Sequence, residues 1–149
     1  DGLLNFYEGR EKLDGEFEAE FKKQVKWMQQ LGNPYVANAD PELLNRIAQD
    51  DMVRGVTIAC GGFFGPQGRR LRLPLADPDL NRKIEDFEYK GHKITNFEME
   101  SSALAGLAYL MGHKALTCCM VIANRRQKEA NAGYKNTIDG LIKEVLERI

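Results

Sequence analysis

The apolar positions along the chain follow two periods, one typical of helices and one typical of strands. Apolar residues recur at helical spacing over residues 16–31, and again in a C-terminal helix predicted from about Asn136. Residues 55–60 and 94–97 are short β-favouring runs, and residues 115–123 form an apolar run of strand length. Between the last two runs, a small-residue stretch predicts a buried helix over 101–111. Strands that alternate with helices indicate an α/β fold, and 149 residues suit a single domain.

Two aspartates predict further helix starts. Asp40 precedes a proline and a glutamate, the order of an N-cap, an N1 proline and a first-turn acid, and predicts a helix over 41–49. Asp77 also precedes a proline and predicts a helix that reaches about Asp86. A turn is expected at residues 90–93, between two short strands.

Composition and charge exclude several classes of protein. A hydrophobic content of 43% and a charged content of 29% are ordinary for a globular domain, and a net charge of −1 gives no reason to expect nucleic acid or an anionic membrane as partner. No apolar run approaches the roughly 20 residues of a membrane span, and no secretory leader is visible. The cysteines lie in apolar runs without metal-ligand spacing, so we expect reduced thiols, no metal site and a cytoplasmic protein. They are Cys60, Cys118 and Cys119.

Two carboxylates mark the point where the β-pattern of residues 94–97 gives way to the predicted helix. Glu98 and Glu100 stand two positions apart there. Because strand-to-helix turns of α/β sheets commonly bind ligands, these side chains are placed to bind hydroxyl groups. The alternative is that one of them caps the helix, whose N-terminus favours negative charge.

A glycine-rich stretch, residues 61–70, follows the first predicted buried strand. Its four glycines let the backbone approach a ligand closely. Phe63 and its neighbour offer a stacking surface, Gln67 carries a donor and an acceptor on one amide, and Arg69 or the arginine after it offers a planar fork of donors. These groups match a flat heterocycle with adjacent carbonyl and N–H groups. A solvated surface loop is the alternative, and neither a P-loop nor a GxGxxG is present.

With these stretches identified, the chain resembles the uridine phosphorylases of the nucleoside phosphorylase superfamily. The resemblance implies a central mixed β-sheet flanked by helices. Three segments carry it, and their order and separations agree with the family. They are Phe63 with Gln67-Gly68-Arg69, Phe97-Glu98-Met99-Glu100-Ser101, and Val121-Ile122-Ala123-Asn124-Arg125.

The resemblance implies a reaction and a site. The reaction is phosphate-dependent cleavage of uridine to uracil and ribose 1-phosphate in pyrimidine salvage, with inorganic phosphate as co-substrate and without a cofactor. Arg69 and Glu100 would be catalytic, because the first can stabilise charge on the departing base and the second can orient the ribose. Asn124 stands near the place where purine-specific relatives have an aspartate, which favours a pyrimidine. The implied uracil site is Phe63, Gln67, Arg69, Ile122 and Ala123; the implied ribose site is Glu98, Met99 and Glu100.

The sequence departs from the family in one major respect. Family members are longer and carry glycine- and arginine-containing phosphate-binding segments ahead of the point that corresponds to Asp1. The resemblance therefore implies the C-terminal part of a longer phosphorylase domain, expected to form a homo-oligomer and to need the missing N-terminal half. Two alternatives stay open. One is a truncated, non-catalytic remnant that binds nucleoside or only packs against another chain, and the other is a phosphorylase for a different nucleoside.

Overall fold

The computed structural model describes residues 2–124 and 127–149, apart from the side chain of residue 136. Within those residues the chain forms five α-helices and five strands, with short 3-10 turns between them. The helices are α1 (Gly15–Gln24), α2 (Pro41–Ile47), α3 (Leu80–Glu85), α4 (Ser101–Leu110) and α5 (Tyr134–Arg148). The strands are β1 (Val56–Ala59), β2 (Glu88–Tyr89), β3 (His92–Glu98), β4 (Ala123–Asn124) and β5 (Glu129–Ala130).

A mixed three-stranded sheet organises the fold. β3 is its middle strand and pairs in parallel with β1 and antiparallel with β2. β2 and β3 are joined through Lys90 and Gly91, at φ of 50° and 77°, the backbone twist that suits a two-residue hairpin. The predicted α/β class with a mixed sheet is confirmed. The turn predicted at residues 90–93 is confirmed at Lys90 and Gly91, whereas residues 92 and 93 already belong to β3.

Aromatic side chains pack α1 against this sheet. The Phe87 ring lies 5.3 Å from the Phe17 ring and 5.2 Å from the Phe21 ring, measured between centroids. Phe87 and Val25 are almost fully buried at the centre of the cluster. Since aromatic side chains bury large apolar areas, this cluster is the main core of the described chain.

The two largest differences from the predicted helix boundaries are in α1 and α3. The helix predicted over 16–31 ends at Gln24, because Lys26 adopts a left-handed φ of 54° and the Trp27 N–H bonds back to the Lys22 carbonyl at 2.9 Å. The helix predicted to start at Asp77 begins only at Leu80.

The difference between Asp40 and Asp77 explains which helix start was predicted well. Asp40 accepts a hydrogen bond from the Leu43 N–H at 2.9 Å and caps α2 as predicted. The Asp77 carboxylate instead accepts from the Asp79 N–H at 3.0 Å and pairs with Lys83 at 2.6 Å. It therefore closes a turn ahead of α3 instead of capping that helix.

The strand predicted over residues 115–123 is wrong for most of its length. Only its end enters a strand, and β4 pairs with β5 in a separate two-stranded sheet. Residues 115–122 lie in no ladder, because no backbone hydrogen bond of the described residues joins residues 116–121 to a neighbouring strand.

The C-terminal helix is anchored to the end of α2 and to the residues that follow it. Arg148 donates to the Ile47 carbonyl at 2.9 Å and to both carboxylate oxygens of Asp51, at 3.0 and 2.7 Å. α5 begins at Tyr134, two residues before the predicted start. Among the residues described, none of the helices has the length and apolar character that crossing a bilayer demands.

Candidate functional site

The two informative motifs leave neighbouring strands at the same edge of the sheet. β1 and β3 are parallel, so their carboxyl ends lie together, and the register places Ala59 opposite Glu98. The Cys60 N–H donates to the Glu98 carbonyl at 3.1 Å just beyond that pair. The glycine-rich loop 60–69 and the acidic turn 98–100 therefore start side by side, although they are far apart in sequence.

Arg69 contacts two other side chains of the loop, Phe63 and Gln67. The Arg69 guanidinium lies over the Phe63 ring, 3.6 Å from its centroid, and donates to the Gln67 side-chain oxygen at 2.7 Å and to the Phe63 carbonyl. Gln67 is 4% exposed, whereas Phe63 is 52% exposed. The loop thus presents a planar fork of donors stacked on an aromatic ring, the combination that recognises a flat heterocycle with carbonyl groups.

A tight turn holds these side chains in place. The Arg69 N–H donates to the Phe64 carbonyl at 2.9 Å, and the Asn81 amide of α3 donates to the Gln67 carbonyl at 3.2 Å. Gly68 sits between them at φ of 71°, and a Cβ there would lie 2.2 Å from the Asn81 amide nitrogen. Only glycine fits this position without displacing Asn81.

Sequence reasoning did not find Asn81. Its position, 14 residues after Gln67 and on another element, carries no motif that points to the loop. The Asn81 side-chain oxygen is buried and, within the described residues, has no hydrogen-bond partner. Asn81 is therefore a support of the loop that only the three-dimensional structure reveals.

The Glu98 carboxylate caps α4. One oxygen accepts from the backbone N–H groups of Glu100 and Ser101, both at 2.7 Å, and the other accepts from the Ser101 hydroxyl at 2.6 Å. Partial burial on its own would raise the pKa of Glu98, but these hydrogen bonds outweigh it and hold the pKa below its ordinary value. For Glu98 the geometry matches the capping alternative, with the carboxylate kept ionised.

Glu100 differs from Glu98 although only one residue separates them. Its side chain is exposed and makes no hydrogen bond or ion pair to another described residue. Met99, between the two, is half-buried. The turn therefore fixes its backbone through Glu98 and leaves the Glu100 carboxylate available to a ligand with hydroxyl groups.

The third motif lies partly outside the described residues, since Arg125 is not among them. Ile122 is 48% exposed, and its carbonyl accepts from the Asn131 N–H at 2.8 Å, while Ala123 opens β4. Just before Ile122, the Asn96 side chain hydrogen-bonds the Cys119 thiol, and burial raises the pKa of this thiol. This segment thus passes beside β3.

The structure brings only some of the predicted residues together. The three loop side chains predicted to contact the base form one cluster, and residues 98–100 form one turn beside it. Among the residues that the structure describes, no hydrogen bond or ion pair joins Arg69, Glu100 and Ile122. No group of three or more His, Cys, Asp or Glu side chains in the described part of the chain could hold a metal ion.

A large cleft opens beside these motifs. Its volume is about 1630 Å³, and its walls include Gly61 and Gly65 of the loop and Ser101 and Ser102 of α4. The side chains of Phe63, Arg69 and Glu100 do not line it. The cleft is therefore adjacent to the candidate site but distinct from it.

A sequence model of the phosphorylase superfamily matches residues 2–148. Two curated relatives carry more specific names. One, uridine phosphorylase A of Schistosoma mansoni, is 36% identical over 76 residues, which are 50% of this chain and 25% of the relative. The other, a uridine phosphorylase of Thermococcus kodakarensis, is 37% identical over 82 residues, 54% of this chain and 29% of the relative.

A solved structure agrees with this chain over nearly its whole length. It is a nucleoside phosphorylase of Trypanosoma brucei, described as showing uridine phosphorylase activity, and it superposes with a TM-score of 0.77 at 23% identity. The match covers 99% of this chain and 52% of that chain. The fold is thus shared. The chain spans about half the length of that structure, and its matched residues span 25% and 29% of the two curated relatives.

Proposed function

This chain belongs to the phosphorylase superfamily, and on that premise we propose that it is the base- and ribose-binding part of a uridine phosphorylase. The reaction is the phosphate-dependent cleavage of uridine to uracil and ribose 1-phosphate. The observation that supports this most directly is the start of loop 60–69 and turn 98–100 from adjacent ends of β1 and β3, with Ala59 opposite Glu98. The names of the two curated relatives support uridine as the substrate.

The loop would bind and activate uracil. When the glycosidic bond breaks, the base leaves with negative charge on its ring. Arg69 and the Gln67 amide carry donors that can stabilise that charge, and donors fixed in advance act most strongly where water is excluded. The contact between Arg69 and Phe63 supports this role, because it holds the guanidinium at an aromatic face beside Gln67.

The acidic turn would bind the ribose. The exposed Glu100 carboxylate can accept hydrogen bonds from ribose hydroxyls and orient the sugar for attack, with Met99 beside it. Glu98 would act mainly by holding the turn, since its oxygens already cap α4. Ile122 and Ala123 would complete the apolar side of the uracil pocket. No covalent nucleophile is required.

Phosphate is the co-substrate, and the reaction requires protein groups that hold it in position for attack. An attacking anion must be placed to within about an ångström for an efficient reaction. No segment of this chain resembles the family's phosphate-binding segments, so we propose that polypeptide outside these residues supplies them. On this proposal the active form is a completed domain, assembled as a homo-oligomer, that works in cytoplasmic pyrimidine salvage.

The experiment is an assay of uracil release from uridine, with and without phosphate, on material whose mass is verified. The 149-residue chain alone is expected to show no turnover. Addition of the N-terminal half of the T. kodakarensis uridine phosphorylase, as a separate polypeptide, should produce phosphate-dependent release. Turnover by the chain alone would contradict the proposed placement of phosphate, and slow release without phosphate would indicate hydrolysis.

One observation favours a second candidate function. The chain covers only about half of the matching solved structure, which is compatible with a nucleoside-binding chain that does not turn over its ligand. Calorimetric titration with uridine and uracil distinguishes the two functions. Binding by the chain, with no turnover by the completed assembly, would support the non-catalytic function and contradict the phosphorylase.

A further inference from the structure

Asn81 connects the glycine-rich loop to the main core of the described chain. From α3, its side-chain amide donates to the Gln67 carbonyl at 3.2 Å. Two other residues of the same helix, Leu80 and Ile84, pack in the aromatic cluster, and Ile84 is only 3% exposed. Because α3 is anchored in that core, Asn81 gives the loop a contact with a rigid element, which holds a binding group more precisely than a loop does by itself.

The two ends of the Asn81 amide have different roles. The nitrogen donates to the loop, whereas the oxygen is buried and has no hydrogen-bond partner within the described residues. The amide lies close against the backbone of Gly68, where an added Cβ would come within 2.2 Å of the nitrogen and 2.6 Å of the amide carbon. Asn81 therefore acts on the loop through its nitrogen, and the glycine allows that approach.

Gln67 is held at both its main chain and its side chain. Its N–H donates to the Phe64 carbonyl at 3.1 Å, and its own carbonyl accepts from Asn81. Its side-chain oxygen accepts from the Arg69 guanidinium at 2.7 Å. A guanidinium has donors only, so the end of the Gln67 amide that faces it is the oxygen. The contacts thus fix which way round the amide stands.

This orientation places a donor beside an acceptor. A guanidinium carries five N–H donors, and an amide oxygen can accept two hydrogen bonds, so Arg69 and the Gln67 oxygen match a base edge that has a carbonyl next to an N–H group. Uracil has that edge. Cytosine has nearly the same shape but carries an amino group next to an unprotonated ring nitrogen, so each of its groups would meet its own kind. A site built on such hydrogen bonds discriminates strongly against the mismatched base.

We propose that Asn81 is a positioning residue that sets the preference for uracil over cytosine. It does so by holding the Gln67 peptide, so that the Gln67 oxygen stays beside the Arg69 guanidinium. This role rests on the proposed function, because it concerns the same base site. It differs from simple support of the fold, since a residue that only stabilises the loop would change the amount of active protein and not its choice of base.

Two substitutions of Asn81 and a control on the same helix test this role. Asn81→Asp keeps the size of the side chain and replaces the donor with a carboxylate oxygen that repels the Gln67 carbonyl. Asn81→Ala removes the donor with a residue that favours helices. Arg82→Ala is the control, because Arg82 is exposed and its ion pairs are with the exposed carboxylates of Asp79 and Asp86.

The first measurement is the ratio of kcat/KM for uridine to kcat/KM for cytidine. It is made by base release, in the two-chain assembly of the uracil-release assay. Both Asn81 variants should lower kcat/KM for uridine by about 10- to 100-fold, as a misplacement near 1 Å does, and should lower the ratio by at least about 10-fold. Arg82→Ala should leave both unchanged. Loss of folded protein affects the two substrates equally, so the ratio separates positioning from stability.

The second measurement is hydrogen exchange on the ligand-free 149-residue chain. The amides of Gln67, Gly68 and Arg69 all donate within the turn of the loop. In Asn81→Asp they should exchange at least about 10-fold faster than in wild type, because the turn loses its bond to α3 and opens more often. In Arg82→Ala their exchange should not change. No substrate is present, so this measurement reports on the contact whether or not the proposed reaction is correct.

The outcomes separate this role from the proposed function. Unchanged exchange in Asn81→Asp would overturn the positioning role. So would faster exchange with an unchanged uridine-to-cytidine ratio, which would make Asn81 a structural support alone, or an equal fall of the ratio in Arg82→Ala. If the wild-type assembly does not cleave uridine, the proposed function itself is contradicted, and the role of Asn81 in base preference fails with it.

Discussion

Two regions beside the sheet, the loop 60–69 and the segment 115–122, differ in how well their contacts are formed. Only the loop is held by contacts among its own residues. In the loop, Arg69 contacts both Gln67 and Phe63, and Gln67 is 4% exposed. In the segment, Val121 is 58% and Ile122 48% exposed, and no ladder pairs the backbone.

The difference lies in the range of the contacts that each region needs. The loop is closed by hydrogen bonds within ten residues and by one contact from α3. An interior strand needs neighbours along its length, because each unpaired N–H and C=O group in a buried strand is costly. The contacts among Arg69, Gln67 and Phe63 can thus form locally, while the backbone of residues 116–121 stays unpaired among the described residues.

The largest expected effect is that of Arg69→Ala in an assembly that cleaves uridine. Losing one donor aimed at developing charge should lower kcat by roughly 100- to 1,000-fold, about 3–4 kcal/mol of transition-state stabilisation. The loss should also appear in kcat/KM, which steady-state kinetics measures. Arg70→Ala is the control, because the adjacent Arg70 is exposed. An unchanged kcat with a higher KM would mean that Arg69 only holds the base.

A smaller effect, on stability, is expected for Gly68→Ala. The left-handed φ of 71° is unfavourable for alanine, and its Cβ would collide with the Asn81 amide, so unfolding free energy should fall by about 1–3 kcal/mol. Urea denaturation of the chain measures it. Gly65→Ala is the matched control, since a Cβ there meets no atom within 4 Å. Equal losses in both variants would show that the loop is not closed by the turn at Gly68.

Removal of the Glu98 cap should cost less. Glu98→Ala is expected to lower unfolding free energy by about 1 kcal/mol at neutral pH, the typical cost of a lost helix cap. Because the folded pKa of Glu98 lies below its ordinary value, its contribution is present above about pH 4.3, the unfolded value, and is lost as pH falls through the folded pKa. The difference between wild type and Glu98→Gln should therefore shrink on acidification. A pH-independent difference would contradict the ionised cap.

Local signals predicted most of the fold. The β-favouring runs around β1 and β3, the turn before His92 and the Asp40 cap depend on neighbours in sequence, and the structure has each of them, with the turn confined to residues 90 and 91. The early end of α1 was missed because Lys26 adopts a left-handed φ, and a lysine gives no sequence signal for that conformation. The strand predicted over 115–123 was wrong because an apolar run indicates that a segment can form a strand, but not that another strand pairs with it.

The candidate site also has a part that the sequence predicted and a part that only the structure revealed. The contact of Arg69 with Phe63 and Gln67 lies within one motif, so the motif was enough to indicate it. Sequence left both roles of Glu98 open, and hydrogen-bond geometry was needed to identify the cap. Asn81 could not be found, because a support from another helix has no pattern in the loop it supports. The catalytic and ligand-binding roles themselves stay predictions.

The smallest effect is expected for Ile122→Ala in the chain alone, and it sharpens the contrast between the two regions. Ile122 is half exposed and outside any ladder, so its truncation should change unfolding free energy by no more than about 0.5 kcal/mol. In the completed assembly the same change should weaken uridine binding by roughly 10-fold or more, as loss of apolar contact in a pocket does. Urea denaturation of the chain and KM of the assembly are the two measurements. A large loss of stability in the chain alone would mean that residues 115–122 are already packed, and that the two regions do not differ as described.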